Sequence, residues 1–124
     1  MERGIPSSMY REHILELYKS PSNFGILEKV TSEATEYNSI CGDEITVQIL
    51  VKNGKISNVK FSGSGCVLSM VASSLLTEKI RGMKIKDIMK LEKKDIFKLL
   101  KIHITSSRIK CALLSLEATK KALK

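Results

Sequence analysis

Hydrophobic positions along this chain change their period once. Over 44–52, Ile45, Val47, Ile49 and Val51 alternate with mostly polar neighbours, the period-two pattern of a strand with one buried face. Asn53-Gly54 supplies the two left-handed residues of a type I′ hairpin turn. A second strand is expected over 56–61, with Val59 and Phe61 on one face. A weaker alternation over 30–37, with Ala34 among polar β-formers, predicts a strand before these two. Beyond Gly65 the spacing lengthens to a helical period. Val67, Val71 and Leu75 make one stripe of a helix predicted over 66–80 and ending near Gly82. Short helices follow at 85–89 and 93–100. A last helix starts near Ser106 or Ser107, either of which can cap it, with Ile109, Ala112, Leu113, Leu116 and Leu123 as its stripe. At the other end a helix is predicted over 8–18. Pro6 precedes it, Ser7 or Ser8 caps it, and Ile14, Leu17 and Tyr18 form its apolar face. Pro21 stops this helix and Asn23-Phe24-Gly25 turns the chain. Strands first and helices afterwards mean α+β: an N-terminal helix, a three-stranded antiparallel sheet, then several helices packed on one sheet face.

At 124 residues, 43% of them hydrophobic, the expectation is a single domain over 1–124 with residues 1–8 flexible. Residues 1–8 contain no apolar core of the kind a secretory leader needs. The longest unbroken apolar run covers only 111–114, so no segment spans a bilayer. A soluble, cytoplasmic protein with reduced thiols is expected. The formal charge of +8 invites a nucleic-acid reading. Its cations, however, concentrate late in the chain (Lys84, Lys86, Lys90, Lys93, Lys94, Lys98) and alternate with apolar positions, as a solvated helix face would. Aromatic residues make up 5%, too few for base stacking, so neither nucleic acid nor membrane is expected as a partner.

Chemistry concentrates at three cysteines and one aspartate. Cys41 and Asp43 flank Gly42, Cys66 follows Gly63-Ser64-Gly65, and Cys111 enters the last helix between Lys110 and Ala112. An odd number of thiols in a reducing compartment favours metal or sulfur chemistry over a disulfide framework. Three thiolates and one carboxylate close a four-coordinate site around Zn²⁺ or an iron–sulfur cluster. Gly42 permits a tight turn that presents Cys41 and Asp43 together. Cys66 lies at a helix N-terminus, where unpaired N–H groups favour negative charge. With either cargo the formal charge of such a site sums to about −2, so nearby cations are needed, and Arg108 and Lys110 flank Cys111. Blander readings stand beside this one. A lone buried Cys is a small hydrophobe, Cys-Gly-Asp can be a mere turn, and Ser69, Ser73 and Ser74 are read as helix packing. Met70, Met83 and Met89 are read as core, and His13 and His103 as isolated side chains rather than ligands.

At these residues the chain resembles the U-type iron–sulfur scaffold family (IscU, SufU and the N-terminal part of NifU). Tyr18-Lys19-Ser20-Pro21-Ser22-Asn23-Phe24-Gly25 is similar to the turn after the family's first helix. Asn38-Ser39-Ile40-Cys41-Gly42-Asp43, the run from Phe61 to Ser74 around Cys66, and Arg108-Ile109-Lys110-Cys111-Ala112-Leu113-Leu114 resemble its three ligand motifs, in order. The resemblance implies a non-enzymatic scaffold that accepts sulfur from a cysteine desulfurase and iron from a donor, builds a transient [2Fe–2S] cluster and passes it to apo recipient proteins. Cys41, Asp43, Cys66 and Cys111 are then the ligands, with Cys111 as the expected sulfur acceptor, and a homo-oligomer is possible within the family. Two departures shape the alternative. Lys110 stands where the IscU branch has His, and Ile104-Thr105-Ser106-Ser107-Arg108 replaces that branch's Leu-Pro-Pro-Val-Lys segment. The Arg-Ile-Lys-Cys run looks like SufU, whose members are zinc-dependent sulfurtransferases, yet Cys66 and Cys111 are a compact 45 positions apart, without the SufU insertion. Zinc-dependent sulfur acceptance is therefore the second expectation.

Overall fold

The computed structural model describes residues 7–40, 42–101 and 104–124, of which 7–11 by backbone alone. Three antiparallel strands, β1 (Ser32–Asn38), β2 (Asp43–Lys52) and β3 (Lys55–Ser64), form one sheet in the order β1-β2-β3. The strong alternation behaves as its pattern requires: Ile45, Val47 and Ile49 of β2 are fully buried, as are Val59 and Phe61 of β3. Asn53 and Gly54 both take positive φ, 55° and 74°, which lets the β2–β3 hairpin close in two residues. One irregularity was not legible in the pattern. The register slips beside Leu50 and Val51, leaving Ser57 as an extra residue in β3. That bulge reverses the phase, so Ile56 joins Val59 on the core face.

Helices cover this face. α2 (Val67–Ile80) packs on β3, and α5 (Ile109–Leu123) lies across β1, β2 and α2. α1 (Ser7–Lys19) and α4 (Lys93–Leu100) flank α2, and α3 (Ile85–Ile88) is a single turn between α2 and α4. The architecture is α+β, as expected, and β3's open edge is partly covered at both ends. Near its C-terminal end Gly25 N–H donates to Phe61 O and Phe61 N–H to Asn23 O, and at its start Ile56 N–H donates to Met83 O. Among the described residues no helix is long and apolar enough to cross a membrane.

Three local expectations are corrected. α1 already includes Ser7 and Ser8, so neither stands ahead of the helix as its cap. Ser106 and Ser107 do not cap α5 either. They form a 3₁₀ turn, Ser106–Arg108, and α5 follows with no side-chain cap. The stripe expected in α2 was misjudged: Val67 is 38% exposed, whereas Met70, Leu76 and Ile80 join Val71 in the core. The cause is burial on several sides. Ser73 and Thr77 donate to the carbonyls four residues back, so even α2's hydroxyls are satisfied inside the protein.

On the core face of β1, Glu36 stands opposite Ile45 and beneath α5, where Lys121 Nζ lies 3.4 Å from its carboxylate. Glu117 of α5 shares this neighbourhood. Its pKa is raised from 4.5, first by desolvation and then by the charge of Glu36, against a lowering by Lys110. A carboxyl whose folded pKa is raised favours the folded state below its unfolded value, and that contribution is lost as pH rises past it. Glu117→Gln should therefore raise the melting temperature at neutral pH. The gain should shrink as pH falls through about 4.5 and vanish below it, which thermal melts across that range will read.

Candidate metal centre

Strand parity decides where Asp43 goes. It opens β2 two residues before Ile45, on the core face, and is buried at 4% exposure. A carboxylate there must be met by donors. Cys66 N–H donates to Asp43 Oδ1 at 3.2 Å and Ser69 Oγ to Oδ2 at 2.6 Å. Both come from the start of α2, which the chain reaches through Gly63 and Gly65. A Cβ on Gly65 would stand 2.9 Å from Ser69 Cβ and 3.4 Å from Asp43 Cγ, so this approach requires glycine. At Gly63, φ is +122° and a Cβ would lie 2.0 Å from the Glu44 carbonyl oxygen. The glycines flanking Ser64 thus allow α2 to begin directly over the end of the sheet.

From the other side comes α5. Cys111, in its first turn, is 1% exposed, and its Sγ accepts a hydrogen bond from Asn38 Nδ2 at 3.2 Å. Ser69 Oγ also lies 3.2 Å from the Cys111 carbonyl oxygen and 3.7 Å from Cys66 Sγ. One donor atom each from Asp43, Cys66 and Cys111 therefore lies within 4.8 Å of the others. Two sulfurs and a carboxylate oxygen suit Zn²⁺ or iron. Bonds of about 2.0–2.3 Å place such ligand atoms about 3.3–3.8 Å apart, so these three can reach one ion by closing roughly an ångström.

The expected constellation is thus largely assembled: Asp43, Cys66 and Cys111, remote in sequence, share one pocket. Cys41 lies outside the described residues, as does His103. His13 is exposed on α1. One expectation about the surroundings needs revision. The stripe expected for this last helix omits Cys111, yet Cys111 is buried in line with Leu114, Ser115 and Ala118. As a first sulfur acceptor it is shielded, whereas Cys66 is half-buried. Arg108 and Lys110 are both exposed. Arg108 lines an apolar groove of about 350 Å³ together with Ile14, Val67, Leu68, Val71, Leu100, Ile104 and Thr105. Lys110 acts electrostatically on Glu117.

The family model described as "NifU-like N terminal domain" matches residues 9–124. The chain belongs to this family. It is 35% identical over 127 residues to the iron–sulfur cluster assembly enzyme IscU of Drosophila melanogaster, spanning 98% of this chain and 80% of that protein. It is 29% identical to the zinc-dependent sulfurtransferase SufU of Bacillus subtilis, over 94% of this chain and 90% of that one. Among solved structures, SufU from Fervidobacterium islandicum, described as a cluster assembly scaffold of the SUF system, superimposes with a TM-score of 0.78. That match has 27% identity and covers 96% of this chain and 100% of the other.

Two participants escaped the sequence reading. Ser69 was taken for packing with Ser73 and Ser74, although it alone of the three faces Asp43. A signal existed: it stands three residues after Cys66, on the first turn of a helix opposite an inward-pointing carboxylate. Asn38 was noted only as part of a motif. Its clue was the cross-strand pairing with Asp43, which a four-residue hairpin loop dictates. Ser69→Ala should leave Asp43 Oδ2 without its described donor and cost about 1–3 kcal/mol in urea unfolding. In the Asp43→Ala background the same change should cost clearly less, as a double-mutant cycle will show.

Proposed function

We propose that this chain is a scaffold on which an iron–sulfur cluster is assembled from iron and from sulfur supplied by a cysteine desulfurase, and from which it passes to apo recipient proteins. The observation that carries this reading is the convergence of Asp43, Cys66 and Cys111 within 4.8 Å. Family membership gives the convergence its context. In this reading Cys41, Asp43, Cys66 and Cys111 hold the cargo, and 1–124 acts as one scaffold domain. Three thiolates bind iron strongly. The carboxylate is a harder and weaker partner, which suits a cluster meant to leave.

Sulfur arrives as a persulfide on the desulfurase. An acceptor thiolate attacks the outer sulfur, a new S–S bond forms, the old one breaks, and the desulfurase cysteine departs as thiolate. Among the described thiols Cys66 is the more accessible to that attack. For Cys111 to accept sulfur, the residues covering its Sγ, Asn38 among them, must first move aside. The chemistry requires a compartment that keeps thiols reduced.

A second reading, zinc-dependent sulfur acceptance, draws on the same donor set and on the likeness to the B. subtilis sulfurtransferase. Zn²⁺ would hold the four ligands and organise the thiolates. Anaerobic reconstitution with iron and sulfide, followed by absorption spectroscopy and metal counting on wild type and each Cys→Ser variant, separates the two. The scaffold reading expects a visible cluster chromophore that is lost or weakened in each variant. Stoichiometric zinc, strong stimulation of a desulfurase and no chromophore would instead establish the second. Asp43→Ala should lengthen the half-life of the assembled chromophore severalfold under anaerobic dilution. A shorter half-life would remove the labilising role of Asp43.

A further inference from the structure

Asn38 is the least explained polar side chain at this centre. It closes β1, is 6% exposed, and makes three contacts that no strand needs. Its backbone carbonyl accepts from Gly42 N–H at 2.8 Å, closing the 38–42 turn. Its Oδ1 accepts from Ile40 N–H at 3.2 Å, the side-chain mimic of a turn that Asn favours. Its Nδ2 donates to Cys111 Sγ at 3.2 Å, across 73 positions of sequence. The first two contacts tie Asn38 to Ile40 and Gly42, and the third ties it to the sulfur that α5 contributes.

The amide has only one orientation that satisfies both neighbours. The Ile40 amide is a donor and demands the oxygen, which leaves the NH₂ group facing sulfur. Flipping the group would set two donors against each other and an oxygen against Cys111. The turn therefore fixes the direction of the N–H···S bond before any cargo arrives. Hydrogen bonds to ligand sulfurs withdraw electron density and tune the centres those sulfurs hold.

We infer that Asn38 is a positioning residue of this centre: its side-chain amide couples the 38–42 turn to the Cys111 sulfur, aiming that sulfur and lowering its donor strength. This inference rests on the reading of the pocket as a metal-binding centre. Asp43 is held from α2 by Ser69, and Cys111 from β1 by Asn38, so each buried donor is oriented by an element other than its own.

The test uses the full chain, prepared anaerobically, as wild type, Asn38→Asp and Asn38→Ser. Asn38→Asp keeps an acceptor for the Ile40 amide but presents oxygen to sulfur. Asn38→Ser keeps a shorter, neutral acceptor whose hydroxyl does not reach Cys111. Each protein is titrated with Co²⁺, whose thiolate-to-metal charge-transfer band reports the energy of the sulfur lone pairs. Zn²⁺ affinity is read by competition with a chromophoric chelator. Both variants should show the band at longer wavelength, and Asn38→Ser, which adds no carboxylate that could itself ligate the metal, should bind Zn²⁺ about 10- to 100-fold more weakly because the sulfur is no longer aimed. A mere loss of stability would not move the band of the loaded protein. If a variant is unfolded without metal, the Zn²⁺ concentration at which it folds reads the same affinity. Wild-type band position in both variants together with Zn²⁺ affinity within about twofold in Asn38→Ser would overturn the role of Asn38 alone. A wild type that binds Co²⁺ with no charge-transfer band would overturn the metal-centre reading itself, and the role of Asn38 with it.

Discussion

An acidic side chain on the inward face of a strand is the constraint from which the rest of this centre follows. Asp43 shares its row with Ile45 and Val47, so the alternation that builds the core also carries a carboxylate indoors. Water cannot serve it there, and protein donors must. The Cys66 amide and the Ser69 hydroxyl meet that demand only if α2 begins directly over the sheet end. That in turn requires a glycine at 65 and a backbone at Gly63 that side chains resist. Once α2 is set there, Ser69 also stands against the Cys111 carbonyl, and the first turn of α5 is drawn to the same point. The thiols converge because the carboxylate had to be accommodated.

The resulting pocket is asymmetric in access and in chemistry. Cys66 is partly open to solvent, whereas Cys111 and Asp43 are enclosed. The open side of the pocket is therefore the α2 side, where Val67 lines an apolar groove. Ile40 is 83% exposed and Tyr37 66% exposed, so the rim near the 38–42 turn is apolar as well. A family whose members are named for assembling clusters and for transferring sulfur is suited to such a layout. The one partly open thiol among the described donors, Cys66, thus stands beside two enclosed ones.

Much of this was legible where short-range chemistry decides. The β2 alternation, the Asn53-Gly54 turn and the limits of α4 follow from neighbours in sequence, and the structure reproduces them. The grouping of Asp43, Cys66 and Cys111 was legible from turn glycines and ligand chemistry together with the family motifs. What failed was decided by packing from several directions. α2 is enclosed by β3, α1, α4 and α5, which erases the one-sided periodicity that a stripe needs. Ser69 looks like Ser73 and Ser74 until the sheet end is in place. The β3 bulge left no mark in composition, and Ser106 and Ser107 offered caps that a 3₁₀ turn made unnecessary.

The sources of the three described donors carry one more consequence. Asp43 belongs to the sheet, Cys66 to the entrance of α2 and Cys111 to the head of α5, so whatever binds there staples three pieces of the fold that otherwise meet through hydrogen bonds and apolar packing. By linkage, tighter binding and a stiffer fold are the same free energy seen from two sides. Loss of such a ligand would therefore unpin the architecture around it. Anything that draws the sheet end and the two helix heads apart would loosen the hold on such a ligand without touching any of its bonds.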